Sequence, residues 1–259
     1  SHGTMMAGLL VADGKFRGAA PGVDLSVALA LGPSGTSGQE DRVAQAIRWC
    51  RITQKADIVS LSLGSEPGDG MGIQSETTLA VQEALDAGIF VVAAAGNTGD
   101  DPDIFDVSVP ANLPGVIAVG SSTRSGSVWS NSAGGSLTNP YGDGNRSYPD
   151  QKPEVTAPGV LLFSTTTTLI EPPYAYSTGT SDSTVLVTGA LALILELHGA
   201  ALAGDDGVID SEGMGIVKRA LASSCDKTGI DGSPHDTRGG YGMLDAVQWA
   251  SDIAFELNL

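Results

Sequence analysis

Basic residues are scarce in this chain. Only 13 lysines and arginines stand against 30 aspartates and glutamates, which gives a formal net charge of −17 at pH 7 over 259 residues. Such a surface repels nucleic acids and anionic membranes, so we expect the protein to bind neither. The charges also repel one another at low ionic strength and are screened by salt. This composition is typical of proteins from salt-loving sources, and an acidic secreted protein is the alternative.

Cysteines and long apolar runs are scarce as well. The two cysteines, Cys50 and Cys225, are too few for a disulfide framework, so we expect unpaired buried thiols rather than a bridge. No run of about eighteen apolar residues occurs, and we therefore expect no membrane-spanning segment. The longest apolar stretch, residues 185–197, is interrupted by Thr188, Gly189 and Glu196 and predicts a core helix.

Apolar runs rich in β-formers alternate with stretches of helical pattern. Near-continuous apolar character predicts buried parallel strands at residues 24–31, 57–63, 89–95 and 116–121. Helices are predicted at residues 2–11, 39–52, 74–87, 181–198, 211–223 and 244–255. The alternation predicts an α/β fold, with one doubly wound, mainly parallel sheet and helices on both faces, in a single domain over residues 1–259. Functional residues of such sheets gather at the carboxyl ends of the strands.

The residues Gly179-Thr180-Ser181 precede the long apolar helix. A serine at a helix N-terminus lies beside unpaired backbone N–H groups and the positive end of the helix dipole, which favour an alkoxide and the oxyanion it creates. Ser181 is therefore a candidate nucleophile, and a plain helix N-cap is the alternative. Gly179 is expected to provide conformational freedom or a close backbone approach.

Two further segments complete an acyl-transfer pattern. His2, within Ser1-His2-Gly3-Thr4, is a candidate general base that takes the proton from Ser181 and returns it to the leaving amine. Asn97, within Ala94-Ala95-Gly96-Asn97, is a candidate hydrogen-bond donor to the oxyanion. The alternatives are a surface histidine and a turn asparagine.

Six short motifs, taken in order, resemble those of the subtilisin-like serine proteases. They are Ser1-His2-Gly3-Thr4-Met5-Met6-Ala7-Gly8, Ser60-Leu61-Ser62-Leu63-Gly64, Ala94-Ala95-Gly96-Asn97, Lys152-Pro153-Glu154-Val155-Thr156-Ala157-Pro158-Gly159, Gly179-Thr180-Ser181 and Gly240-Tyr241-Gly242-Met243-Leu244-Asp245-Ala246. The resemblance implies the doubly wound fold and a serine endopeptidase with an acyl-enzyme on Ser181, His2 as general base and Asn97 in the oxyanion hole. It also implies polypeptide substrates and no cofactor for the chemistry.

The resemblance assigns substrate-binding residues too. The walls of the first specificity pocket would be Ser62, Leu63 and Gly64 on one side and Ala94, Ala95 and Gly96 on the other. All are small or apolar, so we expect the pocket to accept an apolar side chain. Ser37 and Gly38 would pair with the substrate backbone as an added strand. Glu40 is expected either to select a basic residue four positions before the cut or to begin a helix.

In this family an aspartate orients the catalytic histidine, and nothing within residues 1–259 matches its motif. The resemblance therefore implies an N-terminally incomplete domain and an upstream segment that carries the aspartate, in the same protein or in a separate chain. We expect residues 1–259 alone to be inactive. The resemblance also implies a secreted protein.

Structural calcium is a further implication of the family, and two acidic clusters are candidates for it. They are Asp100, Asp101, Asp103 and Asp106 in one loop, and Asp205, Asp206, Asp210 and Glu212 in another. Calcium takes several oxygen ligands, but neither cluster has a complete EF-hand spacing. A solvated acidic face is the alternative.

Asp182 departs from the family pattern, which usually has methionine after the serine. An ionised carboxylate there would oppose a developing oxyanion, although an aspartate also suits the first turn of a helix. This residue and the missing aspartate motif suggest a rival function, a decayed pseudoprotease that serves as a binding or scaffold body. A third class, the carboxyl peptidases that share the Gly-Thr-Ser motif, is disfavoured by His2 and by the neutral Asn97.

Overall fold

Helices and strands alternate along the chain. The computed structural model describes residues 1–32, 40–67, 75–104, 106–169, 171–227, 230 and 233–259, with residues 40 and 41 described through their backbone only. The helices are α1 (His2–Val11), α2 (Glu40–Trp49), α3 (Glu76–Asp86), α4 (Thr180–Leu202), α5 (Ser211–Ser224) and α6 (Ala246–Glu256). The strands are β1 (Ile58–Leu61), β2 (Phe90–Ala94), β3 (Ile117–Ser122), β4 (Val155–Pro158), β5 (Leu162–Thr165) and β6 (Tyr174–Ser177).

Strands β1 to β4 form one sheet in the order β1-β2-β3-β4, and every pairing is parallel. Ile58 lies opposite Phe90, and Val92 lies opposite Ile117. The predicted doubly wound parallel sheet is therefore confirmed. Because the strands run in the same direction, the segments that follow β1 and β2 meet at one edge of the sheet.

Each strand contributes alternate residues to two buried layers, as the period of a strand requires. One layer contains Val91, Ala93 and Ala118 and packs against α2 and α3. The other contains Val92 and Val119 and packs against α4, α5 and α6. Helices thus cover both faces, which explains why β2 and β3 are apolar at nearly every position.

An antiparallel hairpin of β5 and β6 leads into α4. This element was not predicted from the sequence. It packs against the first half of α1, because the Ser164 hydroxyl donates to the Met5 carbonyl at 2.6 Å and the Thr165 hydroxyl donates to the Thr4 carbonyl at 3.1 Å. The hairpin therefore connects the start of α1 with the start of α4.

The predicted strand at residues 24–31 is wrong for this structure, since the segment forms no strand. Its apolar side chains are open to solvent: Val27 is 68% exposed and Leu29 is 93% exposed. A strand needs a hydrogen-bonded neighbour, and β1, the nearest edge of the sheet in sequence, pairs only with β2 among the described residues. The segment thus has strand composition without a partner.

Helix α4 is long and apolar enough, by length and composition, to cross a membrane. Its apolar residues Val187, Leu191 and Ile194 are buried in the layer that covers the sheet, which accounts for the composition and confirms the predicted core helix. Cys50 and Cys225 are unpaired, as expected, and only Cys225 is fully buried.

Candidate active site

Ser181 lies in the first turn of α4, next to the carboxyl end of β1. Its side-chain hydroxyl donates to the Ser62 carbonyl at 3.3 Å, and the Ser62 hydroxyl donates to the Ser181 carbonyl at 3.1 Å. The residue is half-buried, so the hydroxyl is held at the helix N-terminus without being covered. Gly179 has an extended backbone that any residue adopts, so the expectation of special conformational freedom there is wrong.

Asn97 follows β2 and is fixed by the residue that precedes Ser181. Its carbonyl oxygen accepts hydrogen bonds from the Thr180 backbone N–H and the Thr180 hydroxyl, each at 3.0 Å. The Thr180 hydroxyl oxygen also accepts a hydrogen bond from the Gly96 N–H at 3.2 Å. Because the oxygen of the Asn97 amide is engaged, its NH₂ group is left to donate elsewhere. Sequence reasoning missed Thr180 as the residue that orients this amide.

His2 is the first residue of α1, and α1 packs along α4. Met6, Leu10 and Val185 share one buried cluster, and Leu10 lies 3.3 Å from the position that a Cβ on Gly189 would occupy. His2 begins α1, and Ser181 lies in the first turn of α4.

No hydrogen bond joins His2 to Ser181 in the described part of the chain, since the serine hydroxyl is turned to Ser62. The imidazole is exposed at the end of α1, and partial desolvation lowers its pKa below the ordinary value. No carboxylate contributes to that shift. In the described part of the chain, the proton-transfer contact between His2 and Ser181 is therefore not made.

The two predicted pocket walls face each other across Ser108, a residue that sequence reasoning missed. A Cβ on Gly64 would lie 2.8 Å from the Ser108 Cβ, and a Cβ on Gly96 would collide with the Ser108 hydroxyl. Gly96 also has a φ of +109°, which favours glycine. Ser108 is 8% exposed and lies close to both Gly64 and Gly96. No local signal identifies it, because the contacts come from distant segments.

The remaining predicted wall residues contribute unequally. Ala94 and Ala95 are buried, so they contribute their backbone to the site rather than an open side chain. Ser62 and Leu63 are half-buried beside Ser181. Ser37 and Gly38 lie outside the described residues, as does the side chain of Glu40.

A family model for the subtilases matches residues 1–242. The chain belongs to the subtilase family. Among its relatives, the Major intracellular serine protease of Bacillus subtilis is 36% identical over 199 residues, which cover 74% of this chain and 54% of that protein. Subtilisin E of Bacillus subtilis is 34% identical over 201 residues, which cover 76% of this chain and 46% of that protein. The subtilase chain thus spans about half the length of these curated relatives.

Two solved structures share the fold of this subtilase. The self-cleaved protease domain of PatA superposes with a TM-score of 0.74 at 22% identity and covers 98% of this chain, which in turn covers 83% of it. The Prenylagaramide maturation protease PagA superposes with a TM-score of 0.69 at 23% identity. The match covers 97% of this chain and 82% of the PagA chain. At this level of identity the likeness concerns the fold alone.

Asp182 follows Ser181 in α4 and is 1% exposed. One carboxyl oxygen accepts a hydrogen bond from the Ser177 hydroxyl at 3.0 Å, and the other has no partner among the described residues. Burial raises the pKa of Asp182 to about 6. The side chain is therefore held toward β6 rather than solvated at the helix surface. The sequence had left open whether the Asp182 carboxyl opposes the oxyanion or only suits the first turn of the helix, and the structure shows that the carboxyl is buried.

The carboxylates of the two acidic clusters make local contacts. Within the described ranges, no group of three or more histidine, cysteine, aspartate or glutamate side chains could hold a metal ion. Asp106 pairs with Arg146 at 2.9 Å and accepts two backbone N–H groups. In the second cluster, Asp210 caps the N-terminus of α5. These carboxylates serve local hydrogen bonding.

Proposed function

We propose that this chain is the catalytic body of a serine endopeptidase that cleaves polypeptides through an acyl-enzyme on Ser181. The Ser181 oxygen attacks the peptide carbonyl while His2 takes its proton. The tetrahedral oxyanion accepts hydrogen bonds from the Asn97 amide and the Ser181 N–H. His2 then gives the proton to the leaving amine, and water hydrolyses the ester with His2 again as base.

The observation that carries the proposal is the bond between Asn97 and Thr180. The oxyanion donor is tied to the residue directly before the nucleophile by two hydrogen bonds, so their separation is fixed before substrate arrives. A preorganised donor is effective because no reorganisation is needed as charge develops. No observation favours a decayed pseudoprotease.

The proposal includes a further segment, outside residues 1–259, that supplies the carboxylate for His2. Its support is a surface on the described chain. The residues Leu25, Val27 and Leu29 are exposed in a segment of strand composition, and one edge of β1 has no strand beside it in the described part of the sheet. A strand in that position would cover both features. His2 also lacks a carboxylate partner there.

The substrate preference and the compartment belong to the proposal as well. A pocket beside Ser108 whose walls are apolar or glycine suits an apolar side chain before the cut. Secretion stays a prediction, since the relatives include an intracellular serine protease beside subtilisin E.

A fluorophosphonate probe tests the nucleophile directly. We expect the full-length protein to be labelled at Ser181, and Ser181→Ala to abolish both labelling and peptide hydrolysis. Ser211→Ala, at the first residue of α5, is the matched control and should be labelled normally. An unlabelled full-length protein would favour the pseudoprotease.

The same probe tests the additional segment. Residues 1–259 alone should react far more slowly than a chain that includes it, because loss of the orienting carboxylate lowers turnover by about 10⁴ in a serine triad. Equal rates for the two proteins would contradict the orienting role while leaving the role of Ser181 intact.

A further inference from the structure

The Arg238 guanidinium donates hydrogen bonds to three backbone carbonyls of one loop. Its Nη2 donates to the carbonyls of Trp129 at 3.3 Å and Ser132 at 3.2 Å, and also to that of Ser130. The side chain is half-buried, and no ion pair of Arg238 occurs within the described residues. A cation held only by carbonyl oxygens organises the backbone rather than neutralising an acid.

Residues 129–133 form the loop that Arg238 contacts. This loop makes a backbone hydrogen bond to the chain on each side of Asn97. The Ala133 N–H donates to the Gly96 carbonyl at 2.9 Å, and the Gly99 N–H donates to the Asn131 carbonyl at 2.9 Å. The approach is close, since a Cβ on Gly99 would lie 2.8 Å from Arg238 Nη2. Asn97 therefore lies between two points that the loop fixes.

The backbone of Arg238 is fixed by hydrogen bonds to its neighbours. Asp236 accepts hydrogen bonds from the backbone N–H groups of Arg238 at 2.9 Å and Gly239 at 2.6 Å. Next to it, the Gly135 N–H donates to the Thr237 carbonyl at 2.7 Å. The arginine thus connects the segment before α6 with the loop around Asn97.

We propose that Arg238 is a positioning residue for the oxyanion donor: it holds loop 129–133 in place, and that loop holds Asn97. The inference rests on the proposed function of Asn97. Without the cation, the three converging carbonyls repel one another and the loop relaxes, which displaces the Asn97 amide. The loss falls on kcat rather than KM, because the oxyanion exists only in the transition state.

Amide exchange and kinetics of the full-length protein test the proposal together. In Arg238→Met we expect the Gly99 and Ala133 amides to exchange about tenfold faster, and kcat to fall about tenfold, as suits the loss of hydrogen bonds to a charged group. Arg238→Lys should keep most of kcat, because a single nitrogen makes all three contacts. Arg219→Met, at a surface arginine paired with Glu212 and Glu256, is the control and should change neither quantity.

A double-mutant cycle separates positioning from general stability. If Arg238 acts through Asn97, Arg238→Met should not lower kcat further in an Asn97→Ala background. An additive loss, a loss confined to KM, or unchanged exchange at Gly99 and Ala133 would overturn the proposal. If Arg238→Met unfolds, Arg238→Gln carries the same comparisons.

The outcomes also distinguish this proposal from the proposed function. If the full-length protein neither hydrolyses peptides nor reacts with the probe, the function fails, and amide exchange alone decides whether Arg238 holds the loop. If Asn97→Ala lowers kcat and Arg238→Met does not, only the role of Arg238 fails.

Discussion

Asn97 owes its orientation to one neighbour. Thr180 offers both its N–H and its hydroxyl to the Asn97 carbonyl oxygen, and its hydroxyl also accepts from Gly96. In the proposed function, the threonine of the Gly-Thr-Ser motif thus supports the oxyanion hole, because it engages the oxygen of the Asn97 amide and leaves the NH₂ group to donate.

Substitutions at Asn97 and Thr180 should lower kcat by different factors. Asn97→Ala is expected to lower kcat about 10²–10³-fold, because a donor to the oxyanion is removed. Thr180→Val keeps the shape but loses a hydroxyl worth about 0.5–1.5 kcal/mol, so kcat should fall by about tenfold or less. Steady-state kinetics would check both. Thr188→Val, which loses a hydroxyl bonded to Ser60 farther along α4, should leave kcat unchanged.

Asp182 should make stability depend on pH. Its pKa is about 6 in the folded state against an ordinary 3.8, so the folded protein binds the proton more tightly than the unfolded chain does. Stability therefore falls as pH rises from about 4 to about 6, by up to roughly 3 kcal/mol for a shift of about two pKa units. Asp182→Asn should remove this loss and raise Tm at pH 8, with little change at pH 4.

Two comparisons make the Asp182 prediction specific. Ser177→Ala deletes the hydroxyl that stabilises the carboxylate, so it should lower Tm further at pH 8. Turnover of Asp182→Asn at pH 8 should rise, because a negative charge beside the oxyanion is removed. A Tm difference that stays the same at both pH values would show that the carboxyl titrates normally.

At the scale of elements, α1 and the segment that follows it pack against α4 at Gly189. Gly189 on α4 faces Ala19 and Leu10, and this close packing sets the distance between the helices that carry His2 and Ser181. The hairpin of β5 and β6 supports the same arrangement from the other side, through Ser164 and Thr165. In the proposed function, His2 and Ser181 are therefore positioned by helix packing rather than by a local motif.

Gly189→Ala should push α4 away from the segment that follows α1, which backbone hydrogen bonds tie to Leu9 and Leu10. The new Cβ would lie 2.5 Å from the Ala19 Cβ, and overpacking of this kind costs about 1–3 kcal/mol. We expect a lower Tm and a lower kcat, measured by thermal melts and peptide hydrolysis. Gly199→Ala on the same helix is the control, because its Cβ would meet only Leu195 and should stabilise the helix by up to about 1 kcal/mol. Equal effects of the two substitutions would contradict the packing argument.

At the scale of the whole molecule, the net charge of −17 is spread over a surface with few cations. Several of the basic side chains are buried and do not contribute to that surface. Lys152 and Lys218 are buried with Glu154 between them, each ammonium 2.8 Å from the same carboxylate oxygen. Salt screens exposed charges and hardly affects such buried groups. Self-repulsion of the surface acids therefore dominates the salt dependence.

Potassium chloride should raise the stability of the folded domain. We expect Tm of the full-length protein to rise from dilute buffer to molar salt, because repulsion between surface carboxylates is screened over a Debye length of about 3 Å at 1 M. Melts with equal concentrations of sucrose give a control for general solvent effects. A Tm that is flat or falling with potassium chloride would count against the charge argument.

The sequence by itself determined the family, the α/β class and most helices and strands. Helix α1 and the strands β1, β2 and β3 could be predicted because apolar periodicity and continuous apolar runs are local properties. Ser181 and Asn97 could be proposed because a helix start and a strand end are visible in the sequence. The sequence also showed that Asp182 departs from the pattern.

Only the tertiary structure decided how these parts meet. Residues 24–31 have the composition of a strand but no hydrogen-bonded neighbour, and pairing is not encoded locally. Ser108 lies close to Gly64 and Gly96, and Arg238 contacts the loop beside Asn97, although these residues are far apart in the chain. Burial of Asp182 depends on the hairpin that precedes α4. The physical reason is the same for residues 24–31, Ser108, Arg238 and Asp182. Each depends on contacts between groups far apart in the chain, and a local sequence pattern does not specify such contacts.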